Sequence, residues 1–150
     1  MGLYRVLYCS RSRLPEEKEK RLAALRDIIA RSEINNRATG LTGALLYTNR
    51  CFAQILEGEE EAVAARFARI AEDPRHYHLA IVSYAPAAAR EFPDWSMALL
   101  GSPQNDEEDA LARLLLQEAF APTPRADTAE ALLGYLHGLL HTANGFAAGP

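Results

Sequence analysis

The chain has 150 residues, 49% hydrophobic and 24% charged, with a net charge of −4, enough for one compact domain with a core of its own and a tail. That charge, with no Lys/Arg cluster along the sequence, argues against a nucleic-acid surface, which needs a basic stripe to neutralise phosphates. No apolar run of about 18 residues and no basic segment leading into an apolar one occurs, so neither a membrane span nor a signal peptide is expected and a cytoplasmic location is.

In chain order, Leu3 to Ser10 alternates as a strand, with Tyr4, Val6, Tyr8 and Ser10 on one face and Leu3, Arg5, Leu7 and Cys9 on the other. A buried tyrosine needs a partner for its hydroxyl, and an amide is a natural one, although most strand tyrosines simply pack. Pro15 to Glu17 opens a helix, with proline near its start and acids in its first turn. Leu22, Leu25, Ile28 and Ile29 recur at helical spacing and give it one apolar face. The helix is expected to end near Glu33 to Asn36. There Asn35 and Asn36 either terminate it or present paired donors and acceptors to a planar polar edge.

Gly40 to Tyr47 and Cys51 to Glu57 are apolar runs around the polar Thr48, Asn49 and Arg50, the signature of a β-hairpin. Alternation puts Phe52, Gln54 and Leu56 on one face, so Gln54 is an amide between two large hydrophobes. A buried amide can offer its donor end or its acceptor end by turning about its last torsion. An ordinary core glutamine bridging two strands has the same pattern. Glu59 to Asp73 forms a second amphipathic helix with Val63, Phe67, Ile70 and Ala71 on one stripe, closed by Pro74, and Arg69 and Asp73 are surface neighbours on it.

Arg75, His76, Tyr77 and His78 supply two histidines, short of the three or four converging ligands of a zinc site, and no metal is expected. Leu79 to Ala85 is a strand, and Trp95 to Leu100 a final one with Trp95, Met97 and Leu99 on one face. A two-residue slip keeps that face and exchanges Trp95 for Met97 at one site, which would make the strand a switch; plain core packing is the alternative. Cys9 and Cys51 fit no CxxC or zinc spacing and are expected as small buried thiols.

The order β-α-β-β-α-β-β matches the ferredoxin-like split βαβ arrangement, an α+β fold with both helices on one face of a mainly antiparallel sheet. Two helices side by side on a sheet leave a slot that suits a flat ligand with an apolar body and polar edges. After Pro103, Asn105 or Asp106 is expected to cap a helix bearing Leu111, Leu114 and Leu115. After Pro122 to Pro124, Thr128 is expected to cap another with Leu132, Leu133, Leu136, Leu139 and Leu140. This pair is expected on the open face of the sheet, with a homodimer or partner surface as a further use. His137 and His141 are expected at the surface, and Asn144 to Pro150 as a disordered tail.

The pieces LYRVLYCS, NNRATGLTGALLY, FAQILEG, IAEDPRH and DWSM, in this order and at this spacing, resemble a BLUF domain, the family of blue-light sensors that bind flavin. The resemblance covers about residues 1 to 101 and joins five separate motifs. It implies a flavin between the two helices, with Asn36 hydrogen-bonded to its pyrimidine edge and Gln54 between it and Tyr8. Asn35, Phe52, Arg69 and Asp73 match positions that line or flank the chromophore, and Ile28 is assigned to the same site. Trp95 and Met97 match the switchable pair, Ser10 matches a position close to the glutamine and the tryptophan, and Cys9 is given no role.

The implied function is blue-light reception. Excitation would draw an electron and then a proton from Tyr8 by way of Gln54, leaving the amide rearranged by rotation, tautomerisation or both, with absorption shifted to the red. FAD is the implied cofactor, with FMN or riboflavin as alternatives. Residues 1–101 would be the photosensory domain and 102–150 a helical extension. The chain would not be an enzyme; it would form a homo-oligomer and signal to a separate protein partner. An enzyme on the same fold is disfavoured, because no nucleophile with an adjacent base and no glycine-rich phosphate loop is present. A non-photoactive ligand-binding regulatory module is the remaining alternative, since this architecture hosts many functions.

Overall fold

The architecture is that of a computed structural model, which describes residues 2–101 and 109–140. In chain order the elements are β1 (Leu3–Ser12), α1 (Lys18–Thr39), β2 (Thr42–Thr48), β3 (Cys51–Glu59), α2 (Glu60–Ala71), β4 (His76–Pro86), β5 (Ala98–Leu100), α3 (Ala110–Ala119) and α4 (Thr128–Leu140). The sheet runs β4-β1-β3-β2-β5, with β5 parallel to β2 and every other pair antiparallel. This is the ferredoxin-like α+β fold.

Alternation along the strands divides the core in two. Val6, Leu45, Phe52, Leu56, Met97 and Leu99 point to one face and pack with Leu25 and Ile29 of α1 and Val63 of α2. Leu7, Cys9, Ala44, Leu46, Ala53, Ile55, Ala98 and Leu100 point to the other and pack with Leu116 of α3 and Leu132 and Leu136 of α4. The C-terminal helices therefore fill the face that α1 and α2 leave open, as expected. Each fully buried leucine there contributes roughly 1.5–3 kcal/mol.

Local chemistry sets the joints. Asn49 and Arg50 adopt φ 52° and 58° between Thr48 and Cys51, the type I′ geometry whose twist matches a two-residue hairpin. At Gly43 a Cβ would lie 2.0 Å from the Ile55 carbonyl oxygen, so only glycine lets β2 approach β3 there.

Several boundaries differ from the expectation. α1 starts at Lys18 and runs to Thr39, where Gly40 in the left-handed conformation closes it, so Asn35 and Asn36 lie inside the helix rather than at its end. β4 begins at His76 and carries irregular register against β1, with His78 at φ 56°. β5 is only three residues long: the Trp95 N–H bonds to the Phe92 carbonyl at 3.2 Å, and the Trp95 carbonyl accepts from Gly43 N–H at 3.0 Å. Those bonds hold Trp95 off the strand, and its ring packs with the α3/α4 core. The expected shared face for Trp95 and Met97 is therefore not found.

The C-terminal helices also correct details. Asp109 caps α3, accepting from Ala112 N–H at 3.0 Å, while the expected caps Asn105 and Asp106 lie outside the described residues. Thr128 is buried within α4 with its hydroxyl unpartnered, and the Asp127 carbonyl accepts the first helical bond, from Ala131. His137 is not a bare surface residue: its ring stacks on Phe92 at 4.7 Å and 9°, and its Nε2 meets Glu91 Oε2 at 2.9 Å. His141 and the tail from Asn144 to Pro150 lie outside the described residues. Among the described residues no helix is long and apolar enough to cross a membrane.

Candidate functional site

A cavity of about 260 Å³ lies between α1 and α2 above the sheet. α1 contributes Ile28, Arg31, Ser32, Asn35 and Asn36; the sheet contributes Tyr8, Leu45, Phe52, Gln54, Leu56 and Met97; α2 and the chain after it contribute Arg66, Arg69, Ile70, Asp73, Arg75 and His76. Ile28, Asn35, Asn36, Phe52, Gln54, Arg69 and Asp73, named from the sequence, all converge here, and so do Tyr8 and Met97. Ser10 and Trp95 are not in the lining. Cys9 faces the opposite core, where burial, and after it the neighbouring Cys51, push its thiol up to about 12, an inert group.

The register places Tyr8 directly opposite Gln54, and both are almost completely buried, at 3% and 4% exposure. The Tyr8 hydroxyl donates to Gln54 Oε1, and Gln54 Nε2 is directed at the Met97 sulfur at 3.7 Å. Sulfur is a weak acceptor, so this amide holds one firm partner and one soft one. Burial first, and then the Cys9 thiol and the Asp73 carboxylate, push the Tyr8 phenol far above the usual tyrosine range. Tyr8 therefore keeps its proton and donates it.

Asn36 faces inward from α1 because helical spacing aligns it with the buried Leu25 and Ile29. Its Nδ2 donates to the Ser96 carbonyl at 2.6 Å, fixing the segment just before Met97, while its Oδ1 is buried with no partner. Across the slot, Arg66 Nε is likewise buried and unpartnered. One unused acceptor and one unused donor thus face each other across the slot.

Asp73 accepts from Arg75 through its backbone N–H at 2.9 Å and through Nε and Nη2, the shortest at 2.6 Å. The Arg75 side chain holds the Asp73 carboxyl below the usual carboxylate range, with the backbone bond adding, and Asp73 in turn raises Arg75. His76 sets its Nε2 on the Ile70 carbonyl at 2.6 Å and its Nδ1 on Ser10 Oγ at 2.7 Å. A carbonyl only accepts, so Nε2 carries a hydrogen, and Nδ1 pairs with the serine hydroxyl. The His76 ring lies 6.2 Å from that of Tyr8. Ser10, outside the lining, thus touches the lining residue His76.

Sequence reasoning did not select His76, Arg75, Arg66, Arg31 or Ser32. An arginine on a helix and a histidine after a proline resemble solvated residues until the fold brings α1 and α2 together. Among the described residues no group of three or more metal-ligating side chains occurs.

Residues 3–98 match the family model described as BLUF, sensors of blue-light using FAD. A subunit beta of the photoactivated adenylate cyclase of Euglena gracilis is 35% identical over 96 residues, 64% of this chain and 11% of that protein. The chain thus spans about a ninth of the length of that relative. The dark-state structure of the BLUF protein BlrB superposes with TM-score 0.72 at 30% identity, covering 91% of this chain and 96% of the other. BlsA in its photo-activated state gives 0.71 at 27% identity, covering 95% and 97%. A slot with a buried tyrosine–glutamine pair on its floor, the family match over nearly two thirds of the chain and the superposition along whole BLUF proteins lead to one conclusion: the chain belongs to the BLUF family of blue-light sensors that use FAD.

Proposed function

We propose that Tyr8 and Gln54 are the photoactive pair of this sensor, that Ile28, Asn35, Asn36, Phe52, Arg69 and Asp73 hold the flavin, and that Met97, with Ser10 behind His76, forms the switch beside it. The observation that carries this reading is the buried bond from the Tyr8 hydroxyl to Gln54 Oε1 in the cavity wall. The cavity fits the group. Asn36 Oδ1, buried without a partner, is the acceptor an imide N–H requires, and Ile28, Phe52 and Leu45 supply apolar walls for a flat ring. FAD, FMN and riboflavin share that ring, so these contacts serve all three.

When bound, the flavin supplies blue-light absorption and an acceptor for one electron. Tyr8 is the donor within this wall, and its burial means that an oxidised phenol has no water to take its proton. The proton moves along the one bond the hydroxyl makes, onto Gln54 Oε1. As the electron comes back to Tyr8, Gln54 returns the proton to the phenol oxygen, and an amide that has turned about its last torsion or changed tautomer exchanges donor and acceptor ends. Because Nε2 rests on Met97, such an exchange alters what Met97 faces at the head of β5. Asn36, tied to Ser96, and His76, tied to Ser10, keep the rest of the wall still while the amide changes.

Residues 1–101 serve as the photosensory unit and 102–150 as the extension that passes the state on. The receiver is a separate protein partner, supported by Leu111 and Leu114 standing 54% and 64% exposed on α3, and a second copy of the chain is expected to pair in a homo-oligomer. A cytoplasmic site of action accords with the lack of a membrane-crossing helix among the described residues.

Absorption spectra of the purified protein in the dark, under blue light and during recovery test this reading. A reversible red shift of a flavin spectrum in the parent, lost in Gln54→Ala, is the expected result. Bound flavin that never shifts would make the protein a non-photoactive binding module, and a colourless protein that refuses flavin would remove the site.

A further inference from the structure

We infer that Arg66 binds the phosphate carried on the flavin side chain and makes the site select FMN and FAD over riboflavin. This rests on the flavin reading of the cavity. At about 260 Å³ the cavity lies just below the roughly 300–1,000 Å³ range of pockets that enclose a whole drug-sized ligand. It takes the ring and leaves the side chain to run out between α1 and α2.

The lining of the cavity is rich in cations, although the whole chain carries −4. Arg31, Arg66, Arg69 and Arg75 stand in it against one carboxylate, Asp73. Asp73 is already held by Arg75, and Arg31 is bonded to Asp27 at 3.1 Å. No carboxylate among the described residues bonds Arg66, whose Nε is buried without a partner. A buried cationic N–H left unpaired is costly, and a phosphate oxygen satisfies both its charge and its hydrogen. The planar guanidinium suits the tetrahedral anion better than an ammonium does. Riboflavin, which ends in a hydroxyl, offers no such charge.

The test is a competition on the flavin-loaded protein. Holoprotein is equilibrated with an equimolar excess of riboflavin, FMN and FAD, desalted, and its bound flavins are separated by chromatography. Hydrogen bonds to charged groups predict that FMN and FAD each outcompete riboflavin roughly tenfold or more at low salt, a ratio that shrinks at high salt. Arg66→Gln brings the ratio close to one, and Arg66→Lys, which keeps the charge, retains part of it. Equal occupancy by all three flavins in the parent, or an unchanged ratio in Arg66→Gln, overturns the inference and leaves the flavin site standing. A parent that retains no flavin at all defeats the underlying reading instead.

Discussion

Gln54 is central because of what its neighbours withhold. Tyr8 gives it one firm hydrogen bond and Met97 one soft contact, so its amide keeps spare capacity on both ends in a place that excludes water. The alternation of β3 made this residue visible in sequence, since a lone amide between Phe52 and Leu56 breaks an apolar face. Arg66 and His76 had no such signal, because their partners or vacancies come from elements far away in the chain. Asp73 lends itself to a pH prediction. Its folded carboxyl is depressed below the ordinary 3.8, chiefly by the Arg75 side chain, so its contribution to stability is present above that value and is lost as pH falls through the depressed one. The thermal midpoint should therefore drop on acidification below pH 3.8, and Asp73→Asn should remove part of that drop. An identical acid profile in the variant would show that the Arg75 pair does not stabilise the fold.

At the scale of the elements, the glycine in β2 decides how the switch segment is held. Gly43 packs its bare Cα against the Ile55 carbonyl and donates its N–H to the Trp95 carbonyl, so one residue fixes both the β2/β3 pairing and the chain before β5. Gly43→Ala should cost roughly 1–3 kcal/mol through the backbone clash, read as a lower midpoint in urea. No change in that midpoint would mean that β2 is free to shift. Helix α2, the hairpin and the leucine pattern of α4 were legible because hydrophobic period reports them directly, whereas α1 showed only the short run Leu22, Leu25, Ile28 and Ile29 and buries Arg21 and Asn36 as well. The extent of β5 was not. Trp95 to Leu100 alternates as a strand should, but the bonds from Gly43 to Trp95 and from Asn36 to Ser96 come from distant residues and turn the chain until Ala98. The end of α1 was misplaced for a local reason: Gly40 supplies the left-handed cap, and the asparagines before it are needed inside the slot.

In the whole molecule, β3 stands between two cores, buried from Cys51 to Gly58, with the cavity on one side and the C-terminal helices on the other. Three residues beyond Gln54, the buried carboxylate of Glu57 accepts from the N–H groups of Glu91 and Phe92 at 2.7 and 2.6 Å. His137 of α4 then stacks on Phe92 and bonds Glu91, so the connection leading into β5 is clamped by β3 and α4 together on the face opposite the cavity. His137→Ala should speed amide hydrogen exchange along α4 in the dark while leaving the red shift in place; unchanged exchange would show that the clamp does not hold the helix. The fold could be read from the order of elements, whereas this clamp joins residues 46 positions apart and leaves no mark in the sequence. The central claim, that Tyr8 is the electron and proton donor, is tested most directly by the flavin fluorescence lifetime and the light-minus-dark spectrum of Tyr8→Phe beside the parent. The account predicts a longer lifetime and no red shift in the variant. A red shift that survives in Tyr8→Phe with the parent's lifetime would contradict it.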